Sequence, residues 1–81
     1  MTIDEAITEL TNRIKEVCAD AIIRVSRISS EEARIRAYAS AKFDDSIKDA
    51  TRDLTIQFLT SEGLDIQVLP YDIATSLPPD E

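Results

Sequence analysis

Carboxylates are the most numerous side chains in this 81-residue chain that could take part in chemistry, since there are 16 of them and no histidine. Asp45, Asp49 and Asp53 recur every four residues, so a helix would place all three along one stripe. Such a row could hold a divalent cation, or imitate the phosphates that a basic protein recognises. The alternative is a solvated helix face with Lys48 and Arg52 interleaved, and we expect this second arrangement.

Composition excludes most familiar catalytic and cofactor sites. Without histidine there is no Ser-His or Cys-His pair and no imidazole ligand for a metal. The only glycine, Gly63, cannot make a Gly-rich phosphate loop, and Cys18 alone cannot form an intramolecular disulfide or a thiolate cluster. A carboxylate acid–base pair would need a pocket that two helices do not offer. The sequence therefore predicts a non-enzymatic protein with no cofactor, no metal and no small-molecule substrate.

Four arginines, Arg24, Arg27, Arg34 and Arg36, cluster around a predicted turn. They could contact DNA phosphates as the tip of a helix-turn-helix does, or they could pair with nearby acids and cover apolar surface with their stems. The net charge is −7, and it arises in the C-terminal half, because residues 1–43 carry seven acids and seven bases whereas residues 44–81 carry nine acids and two bases. This acidity repels phosphate, so we do not expect nucleic acid as a partner.

A long first helix, over about residues 2–28, is predicted by apolar residues that return at helical spacing. Thr2 and Glu5 form a capping-box pattern at its start. Cys18 lies at the flank of this seam, where a thiol acts as a small hydrophobe; the alternative is a cross-chain disulfide or a redox sensor. The seam, which is close to that of a coiled coil, consists of Ile3, Ile7, Leu10, Ile14, Val17, Ala21, Val25 and Ile28.

A second long helix, over about residues 31–61, is predicted after a turn at about 29–30. Ser29 and Glu32 repeat the capping-box pattern, and Gly63 is suited to the helix end. The two arms match in length and predict a helical hairpin over residues 1–63, with one continuous helix as the alternative. The second seam consists of Ile35, Ala39, Phe43, Ile47, Ala50, Leu54 and Phe58.

The segment over residues 64–77 is too apolar for a solvated tail. Leu64, Ile66 and Val68 alternate with polar residues, which predicts a short strand that Pro70 cuts off. We expect this extended segment to pack on the hairpin or on a partner, and residues 78–81 to fray.

The predicted fold is therefore mainly all-α, a helical hairpin followed by an extended, strand-like segment. Two helices of this size bury too little surface to be stable alone, so the hairpin is expected to dimerise into a bundle.

The function expected from these features is that of a small acidic soluble protein-interaction module, an adaptor, regulatory or assembly subunit. It would act through helix–helix contacts and its apolar C-terminal segment, and its partner would be a second copy or a larger protein. The alternatives are an acidic inhibitor or nucleic-acid-mimicking decoy, and a DNA-binding regulator with an arginine-rich turn. The predicted interaction residues are Ile22, Ile23, Ile66, Val68, Leu69, Tyr71, Ile73, Asp45, Asp49 and Asp53.

The start of the chain, Met1-Thr2-Ile3-Asp4-Glu5, lacks the basic and apolar regions of a signal peptide. No apolar stretch approaches the roughly 20 residues that span a bilayer. With a single cysteine, these features predict a cytoplasmic protein without a membrane partner.

Overall fold

A computed structural model describes residues 1–75 and contains two helices and a three-stranded mixed sheet. Strands β1 (Ile22–Arg27) and β2 (Glu32–Ala39) form an antiparallel hairpin. Strand β3 (Asp65–Asp72) follows the second helix and pairs in parallel with β2, so the sheet order is β1-β2-β3. The predicted frayed end, 78–81, and residues 76 and 77 of the extended segment lie outside the described residues. The elements are α1 (Ile3–Val17), β1 (Ile22–Arg27), β2 (Glu32–Ala39), a 3-10 turn (Ala41–Phe43), α2 (Asp44–Glu62) and β3 (Asp65–Asp72).

Helix α1 begins at the predicted capping box, which is confirmed. The Glu5 N–H donates to the Thr2 hydroxyl at 3.2 Å, and the Thr2 N–H donates to the Glu5 carboxylate at 3.0 Å. This backbone hydrogen bond, with a second one from the Thr2 hydroxyl, lowers the pKa of Glu5 below its ordinary value. The capped helix buries Ile3, Ala6, Leu10 and Ile14.

The predicted continuation of the first helix to residue 28 is wrong. After Val17 the chain turns, with the Ala21 N–H donating to the Cys18 carbonyl at 3.1 Å, and then runs as strand β1. Ile22, Ile23 and Val25 are β-branched, and such side chains favour an extended backbone. The seam step from Ala21 to Val25 fits a strand equally well, because four residues are two full strand periods as well as about one helical turn.

The predicted start of the second helix at about residue 31 is also wrong, because strand β2 occupies Glu32–Ala39 and α2 begins only at Asp44. The Ser29 hydroxyl does accept hydrogen bonds from the N–H groups of Glu31 and Glu32, at 3.2 and 3.1 Å, but it stabilises the β1–β2 turn and not a helix. The helical hairpin, the coiled coil and the continuous helix are therefore all contradicted. The fold is mixed α/β.

The core lies between the helix layer and one face of the sheet. Leu10 and Ile14 from α1 and Ile47 and Phe58 from α2 join the alternate residues of β2 in one buried cluster. Thr51 is also buried, and its hydroxyl donates to the Ile47 carbonyl at 2.8 Å. The apolar helix faces thus pack on the chain's own sheet, and dimerisation stays a prediction. The buried residues of β2 on this face are Ala33, Ile35, Ala37 and Ala39.

Gly63 ends α2 in the left-handed conformation, with φ at +66°, which confirms the predicted helix end. No atom of residues 1–75 lies within 4 Å of the position that a Cβ would take, so alanine would add strain but no clash with them. Gly63→Ala should lower the free energy of unfolding by about 1 kcal/mol, measured by urea denaturation. Asparagine tolerates this conformation better, so Gly63→Asn should cost less, and an equal cost for both would contradict the explanation.

Candidate binding surfaces

One face of the sheet is not covered by either helix, and we call it the open face. Side chains alternate between the two faces along a strand. Buried Ala33, Ile35 and Ala37 of β2 and the residues paired with them on β1 and β3 therefore lie on the face covered by the helices, and the residues between them lie on the open face. The open face carries Ile22, Arg24 and Ser26 from β1, Glu32, Arg34, Arg36 and Tyr38 from β2, and Asp65, Gln67, Leu69 and Tyr71 from β3.

Three of the four clustered arginines lie on the open face. Arg24 and Arg36 are directly opposite each other in the β1–β2 register, and both are half-buried. An Nη of Arg36 donates to the Ser26 hydroxyl at 3.4 Å, and an Nη of Arg24 donates to the Ile23 carbonyl at 3.3 Å. Arg34 is exposed on the same face. Arg27 lies on the helix side instead, where it forms an ion pair with Asp4.

The two tyrosines of the open face stack on each other across the β2–β3 pair. Their ring centroids are 5.3 Å apart and their planes are inclined by 19°. Tyr38 is only 4% exposed, whereas Tyr71 is half-buried. Because a base must reach the face of an aromatic ring to stack on it, the buried ring of Tyr38 is core packing and not a platform for bases.

A second surface is the groove between α2 and the free edge of β3, which we call the edge groove. Its volume is about 400 Å³, and it is open along the strand. Lys48 and Arg52 stand one helical turn apart on its helical wall, and Ile66 and Val68 form part of its strand wall. The remaining lining residues are Thr51, Thr55, Gln67 and Leu69.

A smaller cavity of about 250 Å³ lies at the end of β2, where Cys18 and Lys42 approach Phe43 and Ile73. The side chain of Cys18 is half-buried beside this cavity. The two alternative roles of Cys18, a cross-chain disulfide and a redox sensor, stay predictions.

No family model, curated protein or solved structure matches this chain. Within residues 1–75, neither helix combines the length and the apolar character needed to cross a membrane.

The structure distributes the predicted interaction residues over several surfaces and does not gather them into one site. Ile22, Leu69 and Tyr71 lie on the open face, whereas Ile23 lies on the opposite face and packs against the core. Ile73 is half-buried just beyond β3. Ile66 is buried and Val68 half-buried, and both border the edge groove.

The row of three aspartates is exposed along α2, as the solvated-face interpretation expects. Asp49 forms an ion pair with Arg52 at 3.1 Å. Among residues 1–75 there is no group of three or more potential ligands arranged to hold a metal ion. The role of Asp45 and Asp53 in binding a partner stays a prediction.

The arginine cluster seen in the sequence supplies Arg24, Arg34 and Arg36 to the open face. The predicted interaction residues nevertheless included none of these arginines, and they did not include Lys48 and Arg52 of the edge groove. The signal was present in β2, where Glu32, Arg34 and Arg36 alternate with Ala33, Ile35 and Ala37. That period of two is typical of a strand with one buried and one solvated face.

Proposed function

We propose that this protein is a protein-interaction module whose open face binds an acidic surface of a larger protein. The observation that carries the proposal is the placement of Arg24 and the exposed Arg34 on the one sheet face that the helices leave uncovered, in a chain whose net charge is −7. Arginine and tyrosine are enriched at the centres of protein interfaces, where guanidinium groups bind carboxylates through two parallel hydrogen bonds.

A protein partner is favoured over nucleic acid by the rest of the charge distribution. Glu32 and Asp65 border the exposed Arg34 on the same face, and a phosphate backbone would meet them as well as the arginine. The buried ring of Tyr38 offers little stacking surface to a base. A folded partner can place its carboxylates opposite Arg34 and away from Glu32 and Asp65. The phosphates of a nucleic acid recur at fixed spacing and cannot avoid the two acids in this way.

The proposal also includes a non-enzymatic role, no cofactor and a cytoplasmic setting. Its support is the absence of histidine from the sequence and the presence of a single cysteine, which suits a reducing compartment. The acidic-decoy alternative gains no support from α2, because Lys48 and Arg52 interrupt its aspartates and Asp49 is already paired.

Arg34→Glu tests this proposal, because Arg34 is exposed and its replacement removes no core contact. Partners captured on the immobilised wild-type chain would be purified and their affinities measured by calorimetry. Reversal of the charge should weaken binding by about tenfold or more, and the wild-type affinity should fall as salt rises. Arg13→Glu is the matched control, because it makes the same charge change at an exposed residue of α1, away from the open face.

Equal loss of binding in Arg13→Glu would mean that net charge matters and the open face does not. Unchanged binding in Arg34→Glu would contradict the proposal directly. A gel shift with a single-stranded oligonucleotide supplies a further check. If the wild type binds the oligonucleotide and Arg34→Glu does not, the open face binds nucleic acid and the proposal of a protein partner is wrong.

A further inference from the structure

The free edge of β3 exposes backbone groups in a defined pattern. The Asp65 N–H donates to the Glu31 carbonyl at 2.8 Å, and the Ile73 N–H donates to the Ala39 carbonyl at 2.9 Å. The backbone groups of successive strand residues point to opposite sides, so the odd-numbered residues of β3 face β2 and the even-numbered ones face outward. The N–H and C=O groups of Ile66 and Val68 therefore point away from the sheet, and no further strand pairs with them within residues 1–75.

Pro70 belongs to the same outward set. Its lack of an N–H costs the β2–β3 ladder nothing, because that position does not face β2. It also restricts what can be added to the edge, since no donor is present beyond Val68 until Asp72. An added strand would thus be held chiefly opposite Ile66 and Val68.

The edge groove, which lies beside these outward backbone groups of β3, is basic, whereas the rest of helix α2 is acidic. Lys48 and Arg52 line it together with threonines, apolar residues and a glutamine, and none of the carboxylates in the described part of the chain lines it. Helix α2 nevertheless carries five acids, all of them outside the groove: Asp44, Asp45, Asp49, Asp53 and Glu62.

We propose that β3 and the edge groove form a second binding site, which takes an extended acidic peptide segment of another protein as a fourth strand. Its backbone pairs with Ile66 and Val68, and its carboxylates, on the side facing α2, reach Lys48 and Arg52. Main-chain hydrogen bonds supply affinity in such strand addition, and alternate side chains supply specificity. Arg52 is already paired with Asp49, but both groups are exposed, and such pairs exchange readily because they contribute little. This site does not depend on the open face.

A second copy of this chain is a poorer occupant of the edge. Antiparallel pairing of two β3 edges around a two-fold axis would place the two α2 helices side by side. Lys48 and Arg52 would then meet the same two cations of the other copy, and facing like charges disfavour association. The β1 edge is a poorer site as well, because Arg27 binds Asp4 there and charged residues at an edge discourage strand addition.

The test titrates the isotopically labelled chain with a blocked peptide of about eight residues in which glutamate alternates with valine. We expect saturable amide shifts along β3 and slower hydrogen exchange at Ile66 and Val68. A peptide with lysine in place of glutamate should not bind. Lys48→Glu with Arg52→Glu should weaken binding of the acidic peptide by at least about tenfold. Arg13→Glu with Lys42→Glu removes the same charges outside the groove and should leave binding unchanged.

Val68→Pro is the second variant, because it removes one outward N–H and leaves the groove charges in place. It should weaken peptide binding while circular dichroism shows the folded chain. Equal binding of both peptides, binding without protection of Ile66 and Val68, no binding at millimolar peptide, or concentration-dependent protection of this edge without peptide would each overturn the proposal. Arg34→Glu should bind the acidic peptide as the wild type does, so failure here is distinguishable from failure of the open-face proposal.

Discussion

Replacing Ile35 by alanine should lower the free energy of unfolding by about 2–5 kcal/mol, as for other large aliphatic side chains removed from a packed core. Ile35 lies at the centre of β2 and is 0% exposed in the cluster that joins both helices to the sheet. The loss combines the transfer of apolar atoms with the cavity left behind, and small domains have little stability in reserve. Urea denaturation followed by circular dichroism measures it.

Ile28→Ala is the matched control, with the same chemical change at a residue that is 51% exposed. It should alter the free energy of unfolding by less than about 0.5 kcal/mol. A helical hairpin would bury both isoleucines in its seams, so similar losses at the two positions would contradict the α/β fold. If Ile35→Ala does not fold, Ile35→Val should still show a graded loss of about 0.5–1.5 kcal/mol.

The features predicted correctly are those determined by a few neighbouring residues. The Thr2–Glu5 capping box needs only the first turn of a helix, and Gly63 can adopt a positive φ whatever surrounds it. The alternation from Leu64 to Val68 is short and regular, and β3 is found there. Local hydrogen bonds and backbone preferences were sufficient for each of these. The predicted end of the strand at Pro70 is wrong, because β3 continues through Pro70 to Asp72, and a proline is tolerated in an edge strand where its nitrogen faces away from the neighbouring strand.

The wrong helix predictions fall where the apolar spacing fits the period of a strand as well as that of a helix. Ile35 and Ala39 are four residues apart, as are Ala21 and Val25, and this spacing suits one face of a strand as well as one turn of a helix. Alanine-rich β2 also has a composition that favours helix, and its extended form is stabilised by pairing on both sides, with β1 and β3. The β2–β3 pairing joins segments that α2 separates in the chain, so a short window of sequence does not reveal it.

The candidate surfaces were hidden for the same reason. Arg24 and Arg36 are twelve positions apart in the chain and become neighbours only when β1 and β2 pair. Lys48 and Val68 border one groove only because β3 lies beside α2. The residue types at these positions were visible in the sequence, but their common face depended on the strand register.

The orientation of β3 leads to the second large expected effect, a difference between two neighbouring prolines. Gln67→Pro removes an N–H that faces β2, so it should break the β2–β3 ladder and lower the free energy of unfolding by about 3 kcal/mol relative to Gln67→Ala. Val68→Pro removes an N–H that faces outward, as at Pro70, and should cost about 1 kcal/mol or less relative to Val68→Ala. Urea denaturation of the four variants gives both differences.

The alanine references remove the contribution of each side chain, so the comparison isolates the backbone donor. This matters because Val68 is half-buried against the core, whereas Gln67 is exposed. If Val68→Pro were the more damaging change, the outward direction of the Ile66 and Val68 backbone would be wrong, and strand addition at this edge would lose its hydrogen-bond partners. If the expected order holds, Val68→Pro becomes a folded variant with one donor missing from the edge, and any loss of peptide binding relative to Val68→Ala can be assigned to that donor.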